Sequence, residues 1–201
     1  MQPVTMMDTP GALIIVGFTG DLSRRKLLPA LYNLELAGRL PINMKIYGLV
    51  RRPTSVDDVA SELHEYITNV EGFCDALTLE KLCARIHTVE ADVSSPEGAQ
   101  TLKVELDKLI GPVCRLKLFY FAVPPSALSD IIHNLAAANV HMCGGSPDSR
   151  LLIEKPFGRD VESARDLSET IRTYFGEDSI YLIDHYLAKD TVQNMLHVRF
   201  H

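Results

Sequence analysis

Four short stretches concentrate the side chains able to do chemistry, and each follows an apolar run. In VGFTGDLS, Gly17 and Gly20 sit three apart and the small Ser23 falls another three on. Glycines at such a turn let backbone N–H groups approach a pyrophosphate, and a small third residue lets the following helix pack closely on the strand. The pattern G-x-x-G-x-x-S is one step from the dinucleotide fingerprint, although a tight strand–helix turn without a ligand shares its spacing. In GLVRRP, Arg51 and Arg52 close an apolar run and no acid appears before Asp57. Folds that bind NAD usually end this strand on Asp or Glu, which holds the ribose 2′-hydroxyl. A guanidinium there suits a 2′-phosphate instead, so the two arginines, if not mere surface charge, favour NADP.

The other two stretches are LLIEKPFGRD and IDHYLAKD. The first turns from Leu151, Leu152 and Ile153 straight to Glu154, Lys155 and Pro156. The second brings Asp184, His185, Tyr186 and Lys189 within six residues of a strand end. An acid, two cationic or partly cationic groups and a hydroxyl at that spacing can bind a phosphorylated ligand or assist proton transfer. The run Arg24-Arg25-Lys26 adds positive charge near the first stretch, or is simply a solvated helix face.

These residues need elements to position them, and the chain reads as strand and helix in alternation. ALIIV and KIYGLV suit strands buried on both faces. Between them Leu28, Leu31 and Leu34 keep helical spacing up to a stop at Gly38. Ser55 with Asp58 opens a second helix as a capping box, with Val59, Leu63 and Tyr66 on one stripe. A short helix over Leu79–Arg85 leads to the weaker strand IHTVEA, and a longer helix runs from Ser95 to Ile110. LKLFYFAV, the helix SALSDIIHNLAAAN, the strand ending at Glu154, a helix striped by Val161, Ala164, Leu167, Ile171 and Tyr174, and the strand IYLID complete the series. This alternation predicts a doubly wound α/β fold with a mostly parallel sheet. The flexible loop is expected at Cys143–Ser149, and KDTVQNMLHVRFH reads as a further helix with no capping residue at its end.

Composition sets the outer bounds. The 201 residues are 46% hydrophobic and 23% charged, the make-up of a water-soluble globular chain. A net charge of −6 argues against a general nucleic-acid binder, so any anionic ligand must be held by local cations. Four scattered cysteines without a C-x-x-C pair argue against a disulfide framework or a metal knuckle and fit a reducing cytoplasm. No metal is expected, since His141 and Cys143 alone make a poor site. The first apolar run, Ala12–Val16, is too short for a membrane or signal segment, and no membrane partner is expected.

Taken together, GFTGDLSRRKLLPALYNL, LLIEKPFGRD and IDHYLAKDTVQN closely resemble motifs of the glucose-6-phosphate dehydrogenase family, in the same order, with GLVRR and LFYFAVPP between them. The resemblance spans Leu13 to Phe200. It implies a Rossmann-type NADP-binding domain, oxidation of glucose 6-phosphate to 6-phosphogluconolactone at the entry to the pentose phosphate pathway, and a homo-oligomer. By that resemblance Gly17, Thr19, Gly20, Asp21 and Leu22 form the dinucleotide turn, and Arg51 matches the arginine on the 2′-phosphate. Lys155 matches the lysine between nicotinamide and sugar, and Pro156 the proline that sets its backbone. His185, Tyr186 and Lys189 match residues on the substrate phosphate and sugar, and Asp184 the aspartate that orients a catalytic histidine. That histidine belongs to the family's second, α+β domain and has no counterpart here, since His197 and His201 do not match it.

The expectation is therefore a coenzyme domain over residues 1–185, the beginning of a second domain over 186–201, and an inactive isolated chain. A related hexose-phosphate dehydrogenase and an NADP-binding redox sensor without turnover are the rival readings. Two positions depart from the family pattern. Ala188 replaces a usual glycine before Lys189, and Ser23 stands where alanine is common.

Overall fold

The structure, a computed structural model, describes residues 11–111, 116–142, 149–154, 161–176 and 179–183. The strands are β1 (Gly11–Val16), β2 (Met44–Val50), β3 (Ile86–Glu90), β4 (Leu116–Phe121), β5 (Ser149–Glu154) and β6 (Ile180–Ile183). The helices between them are α1 (Leu28–Leu36), α2 (Val56–Glu71), α3 (Ala76–Cys83), α4 (Pro96–Ile110), α5 (Pro125–Ala137) and α6 (Val161–Phe175). The strands form one sheet in the order β3-β2-β1-β4-β5-β6, with every pair parallel. The chain starts in the middle, winds out to β3, and crosses back over the sheet through α4 to begin the other half. This is the doubly wound architecture expected from the alternation.

Both faces of the central strands are buried, which is why they are continuous apolar runs rather than alternating ones. Leu13 and Ile15 of β1, Ile46 and Val50 of β2 and Leu118 and Tyr120 of β4 join a core with α1, α2 and α3. Ile14 and Val16, Tyr47 and Leu49, and Phe119 and Phe121 join a second core with α4, α5 and α6. With helices on both sides, the two cores leave the sheet's carboxyl edge as the place where strand ends and helix starts meet.

The local signals hold in most places. Ser55 caps α2 by accepting the Asp58 amide at 3.0 Å, and the Asp58 carboxylate accepts the Ser55 amide in return, a complete capping box. Ser95 caps α4, accepting the Gly98 amide at 3.1 Å. Some readings are corrected. The helix expected over Leu79–Arg85 runs Ala76–Cys83, because Asp75 caps it by accepting the Thr78 amide and hydroxyl at 2.8 and 2.7 Å. Arg85 lies past its end and turns inward, donating to the Pro41 carbonyl at 2.8 Å and pairing with Glu35. On α6 the inner position expected of Tyr174 belongs to Phe175: Tyr174 is 42% exposed and Phe175 3%. The first helix opens at Asp21 and Leu22, passes through a π-helical segment, Ser23–Leu27, and then tightens into α1. Ser149 is buried in β5 rather than part of a loop, while residues 143–148 and the expected helix of residues 189–201 lie outside the described residues.

Candidate functional site

The turn after β1 lies at the point where the two halves of the sheet diverge, with β2 on one side of β1 and β4 on the other. The Ala122 amide donates to the Val16 carbonyl at 2.8 Å and carries the β1–β4 ladder one step past the strands. Gly17 then takes φ +85°, and a Cβ there would stand 2.3 Å from the Ala122 carbonyl oxygen. Only glycine satisfies both demands. The Gly20 amide donates to the Gly17 carbonyl at 2.9 Å and the Arg24 amide to the Gly20 carbonyl at 3.0 Å, so the turn passes directly into the helix. The helix starts at Asp21, directly after Gly20, which has no side chain to cap it. Its first amides therefore point past the strand ends with the positive end of the helix behind them, the arrangement that receives phosphate. Thr19 and Asp21 are exposed on the turn and Leu22 packs on the first core. Ser23 is wholly buried, as a small residue at that place in the turn allows.

A second contact holds this turn from below. Phe18 is 1% exposed, and its ring lies on Gly48 in β2, where a Cβ would meet the ring carbons at 2.4 Å. Gly48 opens the stretch GLVRRP, whose chemistry lies in its arginines. Its one signal in the sequence is a lone glycine inside an apolar strand, which often marks such a close approach.

At the end of β2, Arg51 is exposed and free to meet a ligand at the strand edge. The Ala91 amide donates to the Val50 carbonyl at 3.0 Å, which sets Arg51 beside the residues leaving β3. Asp92 stands there, a residue that no sequence motif announces. Its carboxylate accepts the Ser94 amide at 3.1 Å and the Ser94 hydroxyl at 2.5 Å. These bonds hold the Asp92 carboxyl below the usual range, and the Arg51 guanidinium nearby adds to the effect. The cationic run at 24–26 is largely neutralised: Arg24 pairs with Glu62 at 3.3 Å and Arg25 with Asp21 at 2.7 Å. Its contribution to an anion site falls mainly to Lys26, and the solvated-face reading fits Arg24 and Arg25 better.

The other residues expected at the site follow the ends of β5 and β6. Glu154 pairs with Ile183, so the two strands finish side by side. Lys155 and Asp184 follow these residues in the chain, and both lie outside the described residues, as do Pro156, His185, Tyr186, Ala188 and Lys189. From the neighbouring strand, Tyr120 donates its hydroxyl to Glu154 Oε1 at 2.5 Å. Among the described residues no group of three His, Cys, Asp or Glu is placed to hold a metal ion, and no helix is long and apolar enough to cross a membrane.

The residues present fit a dinucleotide. The cradle at Gly17 and Gly20 is space that a side chain would fill, the helix starts directly after a glycine that cannot cap it, and an arginine ends the adjoining strand. The family model described as the NAD binding domain of glucose-6-phosphate dehydrogenase matches residues 14–194. Glucose-6-phosphate 1-dehydrogenase of Chlamydia muridarum is 40% identical over 100% of this chain and 41% of its own length. The crystal structure of the Mycobacterium avium glucose-6-phosphate 1-dehydrogenase aligns at a TM-score of 0.75 and 33% identity, over 89% of this chain and 36% of that one. A glucose-6-phosphate dehydrogenase in complex with its substrate glucose-6-phosphate aligns at 0.73 and 33%, over 96% of this chain and 40% of that one. The chain thus spans about two fifths of the length of these proteins. With residues 14–194 matched by a single family model, the chain belongs to the glucose-6-phosphate dehydrogenase family, over that family's NAD-binding domain.

Proposed function

We propose that this chain is the NADP-binding portion of a dehydrogenase that oxidises glucose 6-phosphate to 6-phosphoglucono-1,5-lactone, the entry to the oxidative pentose phosphate pathway. The observation that carries the reading is the glycine-built turn into a helix at the switch point between β1 and β4, with Arg51 ending the next strand. The amides of the turn formed by Gly17, Thr19, Gly20, Asp21 and Leu22 hold the pyrophosphate, and Arg51 takes the 2′-phosphate that distinguishes NADP from NAD. The bound nicotinamide supplies the hydride acceptor. By the family resemblance, Lys155 reaches between the nicotinamide and the sugar, while His185, Tyr186 and Lys189 hold the substrate phosphate and sugar. Asp184 orients the histidine that takes the hydroxyl proton as the hydride leaves. On this reading residues 1–185 form the coenzyme domain, residues 186–201 begin the substrate domain, and the full-length protein works as a homo-oligomer. The free thiols of Cys74 and Cys83 fit a reducing, cytoplasmic setting.

Calorimetric titration of the chain with NADP and NAD tests the coenzyme assignment. NADP is expected to bind more tightly, and Arg51→Ala to erase most of that preference. Losing one charge-assisted pair costs about 1.5–3 kcal/mol, or roughly ten- to a hundredfold in affinity. Unchanged NADP affinity in the variant refutes the role of Arg51.

A further inference from the structure

Tyr120 makes a polar contact that neither the sheet nor the core requires. Its side chain is buried in the core shared with α1, yet its hydroxyl donates to Glu154 Oε1 at 2.5 Å. Burial, with Glu154 beside it, pushes the phenol pKa up, so the hydroxyl stays protonated and serves as a donor. A tyrosine hydroxyl in a core needs an acceptor, but a backbone carbonyl or a water would serve at less cost than a carboxylate, whose charge loses hydration there. The pair therefore holds a half-buried carboxylate in one orientation at the carboxyl end of β5.

That position matters because of the strand order. Tyr120 lies opposite Leu152, Glu154 is the next residue on that face of β5, and Ile183 of β6 stands opposite Glu154. The carboxylate is thus in the β4-β5-β6 half of the sheet, across the switch point from Arg51 in the β3-β2-β1 half. A dinucleotide with its pyrophosphate at Gly17–Gly20 and its adenosine phosphate toward Arg51 runs its other end over β4 and β5. That end is the nicotinamide ring, which is cationic when oxidised and neutral when reduced.

Resting on the NADP reading above, we infer that Tyr120 is a positioning residue that fixes the Glu154 carboxylate at the nicotinamide end of the site, so that the chain favours oxidised over reduced coenzyme. A fixed anion stabilises the redox state that carries the positive charge, whereas a carboxylate free to swing into water is screened. The same preference weakens the hold on the reduced product once the hydride has arrived.

The test is calorimetric titration of the wild-type chain, Tyr120→Phe and Glu154→Gln with oxidised and with reduced NADP. The ratio of oxidised to reduced affinity is expected to fall about three- to tenfold in each variant. Tyr120→Phe keeps the ring and loses only the hydroxyl. Should it fold poorly, Glu154→Gln keeps an acceptor for Tyr120 while removing the charge, and it carries the test alone. A wild-type ratio in folded Glu154→Gln overturns the inference, and so does a wild-type ratio in folded Tyr120→Phe when the Glu154→Gln ratio has fallen. Wild-type chain that binds neither form overturns the coenzyme reading itself, which separates the two failures.

Discussion

Gly48→Ala is expected to damage a site that residue 48 does not touch. The added Cβ would stand 2.4 Å from two carbons of the Phe18 ring and 2.7 Å from a third. Carbon atoms pack at roughly 3.5–4.0 Å, so the ring must retreat by about 1 Å. It has little room, because Phe18 is 1% exposed and fixed between Gly17 and the rest of the turn. Overpacking of this kind costs about 1–3 kcal/mol. Part of the strain is expected to leave through the backbone of residues 17–20 and lower NADP affinity along with stability. Urea unfolding followed by circular dichroism gives the first quantity, and calorimetric titration the second. Phe18→Leu in the same chain frees space over residue 48, so the double variant should recover part of the loss, with a coupling energy above about 0.5 kcal/mol in a double-mutant cycle. Additive losses, or a Gly48→Ala chain as stable and as tight for NADP as wild type, would refute the proposed path from β2 to the turn.

Lys117 provides a pH test of the fold. Its ammonium is buried, donates to the Val140 and Met142 carbonyls at 2.9 and 2.7 Å, and has its pKa pulled by burial from 10.5 down to about 8. The folded state therefore binds fewer protons than the unfolded chain between those values, so this group makes stability rise with pH across the window, by at most about 3 kcal/mol. The buried phenols of Tyr32, Tyr47 and Tyr120 have raised pKa values and act in the opposite direction above pH 10. The readout is accordingly wild type minus Lys117→Met below about pH 9.5, and parallel stability curves contradict it. At the coenzyme end, Asp92→Asn removes a negative charge beside Arg51 and should raise the NADP-to-NAD affinity ratio a few-fold, about two- to fivefold at low salt; an unchanged ratio in titrations means the two charges do not act on the ligand together. In the full-length enzyme, Lys189→Ala should raise KM for glucose 6-phosphate and lower kcat together, and wild-type steady-state kinetics would reduce Lys189 to a surface lysine.

Short-range features are legible in the sequence because their causes lie within a turn or two of chain. The capping box of Ser55 and Asp58, the buried runs of β1, β2 and β4, and the leucine stripe of α1 are of this kind. Alternation of strand and helix then leaves little choice of architecture, because parallel strands need crossovers and right-handed crossovers allow few arrangements. The glycine turn is legible for a related reason: a strand–turn–helix unit keeps its turn geometry in consecutive residues. Sequence expectation and structure part where local signals are nearly balanced. The start of the short helix before β3 is weakly marked, and Tyr174 and Phe175 are adjacent aromatics at the end of one stripe. The Asp75 cap sets the start of α3 at Ala76, and packing decides that Phe175 faces the core.

What the tertiary structure alone decided are the contacts between residues far apart in the chain. Phe18 meets Gly48 because β1 and β2 are neighbours, and Asp92 meets the field of Arg51 because β3 pairs with β2. Tyr120 reaches Glu154 because α5 returns the chain so that β5 lies against β4 in one register; a slip of one residue would turn Glu154 to the opposite face. Residue type announces a glycine, an acid or a tyrosine in each case. Its partner is set by strand order and register, which follow from how the two cores close on the whole sheet and are written in no single stretch of sequence.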